Sequence, residues 1–227
     1  TEVVRDTLLN SINPDIVFIT SLFEGLVDNA VTNVKSENSN YKTAVILYDL
    51  IPLLNPQLYL KSRKSKLWYR ERIEQLKKND CILTISEYTK KTAVEYLDIS
   101  EKKIFNISGA VDHTFFSSSQ KKTKENFIFT VSGMDPRKNL NFLIEAYAKS
   151  ISFLKTNYKL VITCNMTEDV TDQFRRLISE LKLSKEQVSF TGHISDQELL
   201  EHYRNCSLFI FPSWQEGFGL PVLEAMA

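Results

Sequence analysis

The stretch SLFIFPSWQEGFGLPVLEAMA, Ser207–Ala227, closes the chain and carries its organisation in miniature. SLFIFPS reads as a buried strand, with Leu208–Phe211 at its centre, and WQEGFG reads as a loop. LPVLEAMA begins a helix, with Pro221 near its first position. A strand that passes through a short loop into a helix is the repeating unit of an open parallel sheet. In such sheets ligands lie beyond the carboxyl ends of the strands, where this loop sits. Two glutamates, Glu216 and Glu224, flank the turn with seven residues between them.

The same alternation runs back through the chain. Pro14–Thr20, Lys42–Pro52 and Asp80–Ser86 are near-continuous apolar runs, which predict parallel strands covered on both faces. Ser86 is placed to cap the helix EYTKKTAVEYL, and Lys103–Asp112 predicts a further strand. SSSQKKTKEN, Ser117–Asn126, has no apolar residue and reads as a linker. Beyond it come strand Phe127–Ser132, helix Leu140–Lys149, strand Lys159–Cys164 and a helix over Asp169–Leu181. In that last helix Phe174, Leu177, Ile178 and Leu181 recur at the helical period. Strand Gln187–Thr191 and helix Asp196–Asn205 lead into the closing unit. The pattern predicts an α/β protein of two Rossmann-like, doubly wound parallel-sheet domains, residues 1–117 and 118–227, with a cleft between them.

Composition narrows the function classes. The chain has 227 residues, 43% hydrophobic and 25% charged, as globular domains do. Twenty-eight basic residues balance 28 acidic ones, so no global field points to nucleic acid. No apolar run reaches the ~18 residues that suggest a membrane span. No charged-then-apolar leader opens the chain, and the expected location is the cytoplasm. Cys81, Cys164 and Cys206 sit singly in or beside apolar runs, which predicts buried free thiols and no metal site. A first residue Thr1 and an end inside a helix read as a piece of a larger protein, both domains being incomplete. Its missing parts are then its first partners, and Leu220–Ala227 is expected to be poorly held without them.

The loop and helix of the opening stretch have a chemistry of their own. Gly217 and Gly219 let backbone N–H groups approach an anion, and a helix start adds unpaired donors and the positive end of its dipole. Glu224, about one turn inside the helix, is placed to accept two hydrogen bonds from a ribose diol. Glu216, ahead of the glycines, reaches hydroxyls on the other side of the phosphates. A sugar nucleotide has that order of groups: diol, diphosphate, sugar. Any one of these residues is ordinarily a turn glycine or a solvated glutamate; the whole constellation is not.

EGFGLPVLEAMA resembles the Glu-x7-Glu signature of the retaining glycosyltransferases of family 4, which have the two-domain GT-B fold. VSGMDPRKNL resembles the family loop whose Arg and Lys bind the donor diphosphate; here they are Arg137 and Lys138, with Gly133 in the same turn. FTGHISDQELLEHYRNCSLFIFPSWQEGFG is similar to the segment with the nucleobase loop, where His193 follows Gly192. LTISEYTKKTAVEYL and ISGAVDHTFF are similar to the end of the family's N-terminal domain. YDLIPLLNP resembles a His-Asp-Leu-Ile-Pro stretch of bacterial polysaccharide members, many of them mannosyltransferases; Tyr48 stands where they have His, which leaves the roles of Tyr48 and Asp49 open.

The resemblance implies a sugar, mannose among the candidates, moved with retention from a GDP- or UDP-sugar to a glycan or lipid-linked oligosaccharide during surface polysaccharide synthesis. Its implied catalytic residues are Arg137, Lys138 and Glu216. Its implied donor contacts are Gly133, Arg137, Lys138, His193, Glu216, Gly217, Phe218, Gly219, Leu220 and Glu224. Two fixed cations aimed at the departing diphosphate do the work of a metal ion. No Asp-x-Asp pair stands in a strand-end loop, so no metal and no cofactor is expected. His113 and His202 read as surface or packing residues. Lys61–Lys78 carries eight basic and two acidic residues with no sustained apolar stripe. It suits a solvated helix face, peripheral contact with the anionic inner face of a membrane, or a hold on a lipid-diphosphate acceptor. Two rival readings stand beside the transferase: a catalytically degenerate GT-B module that binds or scaffolds, and a GT-B sugar-nucleotide epimerase.

Overall fold

The computed structural model describes residues 2–28, 30–34, 40–116, 124–154 and 157–227. Contacts divide the chain into two compact units. One is Thr1–Gly109 with Glu216–Phe218, and the other is Ala110–Gln215 with Gly219–Ala227. The division falls ahead of 117/118 because Ala110–Phe116 is anchored on the second unit. The Phe115 ring lies edge-on to Tyr203, centroids 6.2 Å apart, and Arg204 donates to the Thr114 carbonyl at 3.5 Å. Most of the linker expected at Ser117–Asn126 lies outside the described residues, and Glu125 already begins a strand.

The first unit runs α1 (Glu2–Ile12), β1 (Ile16–Ile19), β2 (Lys42–Leu47), α2 (Ile51–Leu54), α3 (Pro56–Tyr59), α4 (Arg63–Lys77), β3 (Cys81–Thr84), α5 (Glu87–Leu97) and β4 (Ile104–Asn106). Its sheet is parallel, in the order β1-β2-β3-β4. The register aligns Ile19, Val45, Ile82 and Ile104 in one row across the sheet, and the last three are essentially fully buried. Such a row on one pleat face is the unit of sheet packing.

Three expectations change here. The run Lys42–Pro52 is a strand only to Leu47, because the Asp49 carboxylate accepts the Ile51 N–H at 2.9 Å and Pro52 suits the start of α2. β4 stops at Asn106, where Ser108 turns left-handed with φ 58. β1 is not covered on both faces: Ile16 and Phe18 are 63% and 52% exposed. Helix α4 also corrects the reading of Lys61–Lys78, because it does carry a buried stripe of Ser65, Tyr69, Arg72, Ile73 and Leu76. Two polar residues occupy stripe positions, which hid the period. Ser62 and Ser65 close a capping box at its start. Ser86 caps α5 as expected, accepting the Thr89 N–H at 3.0 Å.

The second unit runs β5 (Glu125–Val131), α6 (Leu140–Leu154), β6 (Lys159–Thr163), α7 (Glu168–Glu180), β7 (Val188–Phe190), α8 (Asp196–Asn205), β8 (Cys206–Phe209) and α9 (Leu220–Met226). This sheet is also parallel, in the order β7-β6-β5-β8. The chain steps from β5 outward to β6 and β7, then returns to the opposite side of β5. Helix α8 and strand β8 abut, so the last strand starts ahead of the expected Leu208. Phe129, fully buried on β5, packs against Phe127, Tyr203, Phe209 and the His202 ring. Helix α6 is tied to the sheet by Tyr147, whose hydroxyl is shared between the Tyr158 and Gln187 carbonyls at 2.7 and 2.9 Å. Cys164 and Cys206 are buried free thiols and Cys81 is half-buried. Among the described residues no helix is long and apolar enough to cross a membrane.

Phe129→Ala should destabilise the second unit by about 3–5 kcal/mol, the usual cost of emptying an aromatic core site. Urea unfolding of the full-length protein checks this, and a loss under about 1 kcal/mol contradicts the packing described. Burial pushes the Tyr147 phenol up to about 12. The unfolded phenol ionises near pH 10 while the folded one keeps its proton, so stability falls as pH rises from about 10 towards 12. Tyr147→Phe should make that decline shallower.

Candidate functional site

The strand order of the second unit reverses between β5 and β8. The loops that leave their carboxyl ends lead to different helices, the arrangement at which open α/β sheets ordinarily hold ligands. The parallel register sets Phe129 against Phe209, so both strands deliver their loops to the same edge. The loop after β5 carries Gly133, Arg137 and Lys138. The loop after β8 leads to Gly219, Leu220 and Glu224 on α9.

The first loop is shaped by Asp135. Its carboxylate caps the short 3-10 turn Pro136–Lys138, accepting the Arg137 N–H at 3.0 Å. The same carboxylate lies 3.3 Å from Arg137 Nε, while Arg137 Nη1 donates to the Gln215 carbonyl at 3.0 Å. The backbone answers: Trp214 N–H donates to the Arg137 carbonyl at 3.1 Å, and Asn139 Nδ2 donates to the Pro212 carbonyl at 3.3 Å. Asn139 itself is left-handed, with φ 58, which ends the 3-10 turn and starts α6. These bonds stitch the two loops together. The Lys138 ammonium lies 5.2 Å from the centroid of the Phe211 ring, within cation–π range. A β-carbon at Gly133 would meet nothing within 4 Å.

Gly219 precedes α9 with φ 90, a conformation that favours glycine. The helix start offers fewer donors than expected. Pro221 has no N–H, and the Val222 N–H donates to the Gly219 carbonyl at 3.0 Å. Glu224 is half-buried, and its Oε2 accepts the Tyr203 hydroxyl at 2.8 Å. Tyr203 is 6% exposed on α8. Burial, then its bond to Glu224 and the charge of that carboxylate, hold its phenol far above the ordinary range. A phenol that keeps its proton is a permanent donor, so Glu224 is fixed on one oxygen and directed with the other.

Four expected residues stand apart. Glu216, Gly217 and Phe218 group with the first unit, where the Gly217 carbonyl accepts the Ser86 hydroxyl at 2.5 Å. His193 is exposed in the turn after β7, at the same sheet edge but two strands from β5. A cavity of about 1100 Å³ opens beside it, lined by Asn165 and Met166 after β6, Thr191 and Gly192 after β7, and Arg175 on α7. None of Arg137, Lys138 and Glu224 lines it. His202 packs between Phe127 and Phe129, centroids 5.9 and 5.0 Å away, and His113 is exposed. Asp135 and Tyr203 were given no role from sequence. Asp before Pro is a capping signal that identifies the first; no local pattern marks Tyr203, whose partner is distant in the chain. Among the described residues no three His, Cys, Asp or Glu side chains gather as a metal site.

Known proteins resemble this chain in sequence and in fold. Residues 111–227 match the sequence family described as glycosyl transferases group 1. The serotype-specific mannosyltransferase WbdA of Escherichia coli is 34% identical over 99% of this chain, which spans 29% of that relative. The O-antigen chain mannosyltransferase RfbU of Salmonella typhimurium is 29% identical over 81% of this chain and 49% of its own length. Among solved structures, sucrose-phosphate synthase from Thermosynechococcus elongatus aligns with a TM-score of 0.74 at 15% identity, over 99% of this chain and 57% of its own. HepE of Anabaena, solved with UDP and glucose, aligns at 0.73 and 16% identity, over 97% and 59%. Those structural likenesses establish the fold, α/β with Rossmann-like parallel sheets as in the GT-B glycosyltransferases. With more than half of its length matched by the family and its cation loop and Glu-x7-Glu block in place, the chain belongs to the glycosyl transferases group 1 family.

Proposed function

We propose that the full-length protein is a retaining hexosyltransferase that moves mannose from a nucleoside-diphosphate sugar to a glycan or lipid-linked acceptor in surface polysaccharide synthesis. The observation that carries the reading is the pair of stitched loops at the β5/β8 switch point, which presents Arg137 and Lys138 on one side and Glu224 on the other. The mannosyltransferase relatives favour mannose and a polysaccharide product. The donor is a GDP- or UDP-sugar, and no cofactor takes part.

The difficult event is breakage of the bond from the anomeric carbon to the diphosphate. Its electron pair moves to a β-phosphate oxygen, where negative charge grows. Arg137 and Lys138 stabilise that charge more in the transition state than in the ground state, which lowers the barrier. Asp135 and the Gln215 carbonyl hold the guanidinium in advance, so less ordering is left for the reaction step. The acceptor oxygen forms its bond on the face the diphosphate leaves, and its proton passes to the departing phosphate. Glu224 receives the ribose hydroxyls, the Leu220 and Gly219 backbone lies along the phosphates, and the base extends towards His193. Glu216 recognises the transferred sugar, with Gly217 and Phe218 setting its loop.

Arg137→Ala and Lys138→Ala should each lower turnover of the full-length enzyme more than they weaken binding of the uncharged nucleoside. Unchanged kinetics in both variants would remove the pair from the site. EDTA should leave activity intact, and strict dependence on a divalent ion overturns the metal-free scheme. Wild-type protein that binds sugar nucleotide but never turns it over would mark a binding module instead.

Glu224→Gln should weaken nucleoside-diphosphate binding roughly ten- to a hundredfold, the worth of a charge-assisted hydrogen bond of about 1.5–3 kcal/mol. Glu216→Gln should leave that binding nearly intact and impair only the sugar nucleotide; equal losses in calorimetry contradict the division of roles. Tyr203→Phe should weaken the diphosphate, less than Glu224→Gln does, and leave a 2′,3′-dideoxy analogue unaffected. An equal loss for both ligands would mean that Tyr203 acts only on the fold.

A further inference from the structure

A smaller cavity, of about 280 Å³, lies wholly within the first unit at the carboxyl ends of β1 and β2. One wall is made of three aromatic rings in contact. Phe23 is edge-on to Trp68 with centroids 6.4 Å apart and tilted against Tyr69 at 5.2 Å, and Trp68 and Tyr69 are 6.0 Å apart. Trp68 Nε1 donates to the Glu24 carbonyl at 2.9 Å, which fixes the indole and leaves its face for packing. Asp49 lines the same cavity, held by the Ile51 N–H on its Oδ1, and Ser21 stands at its edge.

The telling group is Tyr69. It is 3% exposed, it lines the cavity, and its buried hydroxyl makes no hydrogen bond among the described residues. The Leu53 backbone N–H, which acts on this phenol, is spent on the Leu50 carbonyl at 3.0 Å. Buried hydroxyls are nearly always paired, because an orphan costs stability and phenylalanine would fill the same space without that cost. The charge of Asp49 acts on this phenol, so a donor and an acceptor face one small space.

We propose that this cavity binds a single hexopyranose ring of a saccharide. Tyr69 donates to one ring hydroxyl, Asp49 accepts from another, and the Phe23–Trp68–Tyr69 wall packs on a C–H face. Each alternative class fails on one group. A phosphate meets the Asp49 charge with the wrong sign. An ammonium suits Asp49 and the rings but offers the Tyr69 hydroxyl no acceptor. A sugar hydroxyl donates and accepts at once, which satisfies both residues. The volume falls just below the ~300–1,000 Å³ of sites for drug-sized ligands, as one ring requires. The assignment rests on the transferase reading, because it supplies a subsite for the sugar of that reaction.

The test is Tyr69→Phe in the full-length protein, followed by thermal unfolding and by titration with methyl α-hexopyranosides, with nucleoside diphosphate and with sugar nucleotide. The variant should melt higher than wild type, since it removes an orphaned hydroxyl, yet bind saccharide about two- to tenfold more weakly, the worth of one net hydrogen bond. Affinity for the bare diphosphate should not move. Loss with the glycosides assigns the cavity to the acceptor's ring; loss confined to the sugar nucleotide assigns it to the donor's. Saccharide binding equal to wild type, with diphosphate still bound, overturns the subsite and leaves the transferase reading standing. Failure of wild type to bind any diphosphate sinks that reading and this inference with it. Saturation by tetramethylammonium in competition with the glycoside replaces the sugar with a cation.

Discussion

In a parallel sheet every strand ends at the same edge, and β5 has β6 on one side and β8 on the other. The loops that leave β5 and β8 therefore feed different helices, one towards β6 and the other α9, while hydrogen bonds hold the two loops side by side. That arrangement sets the loop with Arg137 and Lys138 at the same sheet edge as the helix that carries Glu224, whose carboxylate accepts the Tyr203 hydroxyl. The first sheet has no such reversal among its described strands, since β1-β2-β3-β4 follows chain order throughout. Its cavity arises differently, from α2 and α4 folding side chains over the ends of β1 and β2.

The two loops at the switch point are built by opposite means. The loop after β5 is rigidified by charge: Asp135 holds Arg137 through a backbone N–H and through Nε, and the Gln215 carbonyl takes Nη1. A guanidinium so held gives up part of its field to its carboxylate neighbour and gains a fixed direction. The end of the other segment is set by an aromatic cluster. Tyr203 and Phe209 pack at 5.2 Å and Phe129 lies 5.4 Å from Tyr203, so the hydroxyl that grips Glu224 stands on the hydrophobic core itself. Damage to that core reaches the carboxylate without touching it.

Much of this was legible in the residues. Alternating apolar runs and helical periods give β3, β5, β6, α5 and α8 close to their observed limits, because burial on a parallel sheet leaves few polar interruptions. The glycines, the cation pair and the two glutamates are local features with local signals. What stayed hidden is what depends on distant pairing. Nothing near Tyr203 announces Glu224, and nothing near Arg137 announces Gln215. Helix α4 was misread because Ser65 and Arg72 sit on its buried face, where a period count expects apolar residues. The unit boundary lies ahead of the polar stretch for a related reason: composition does not reveal that Phe115 meets Tyr203, far along the chain.

One phenol in the second unit has a mechanical consequence. The Tyr147 proton is shared between carbonyls just ahead of β6 and just ahead of β7, so a single side chain staples the amino edge of the sheet. The carboxyl edge of the same strands has a tie of its own: the Thr163 and Thr191 hydroxyls, at the end of β6 and just past β7, lie 2.9 Å apart. Side chains thus pin β6 to β7 at both rims, and the turn with His193 leaves a pair of strands whose register is held from either end.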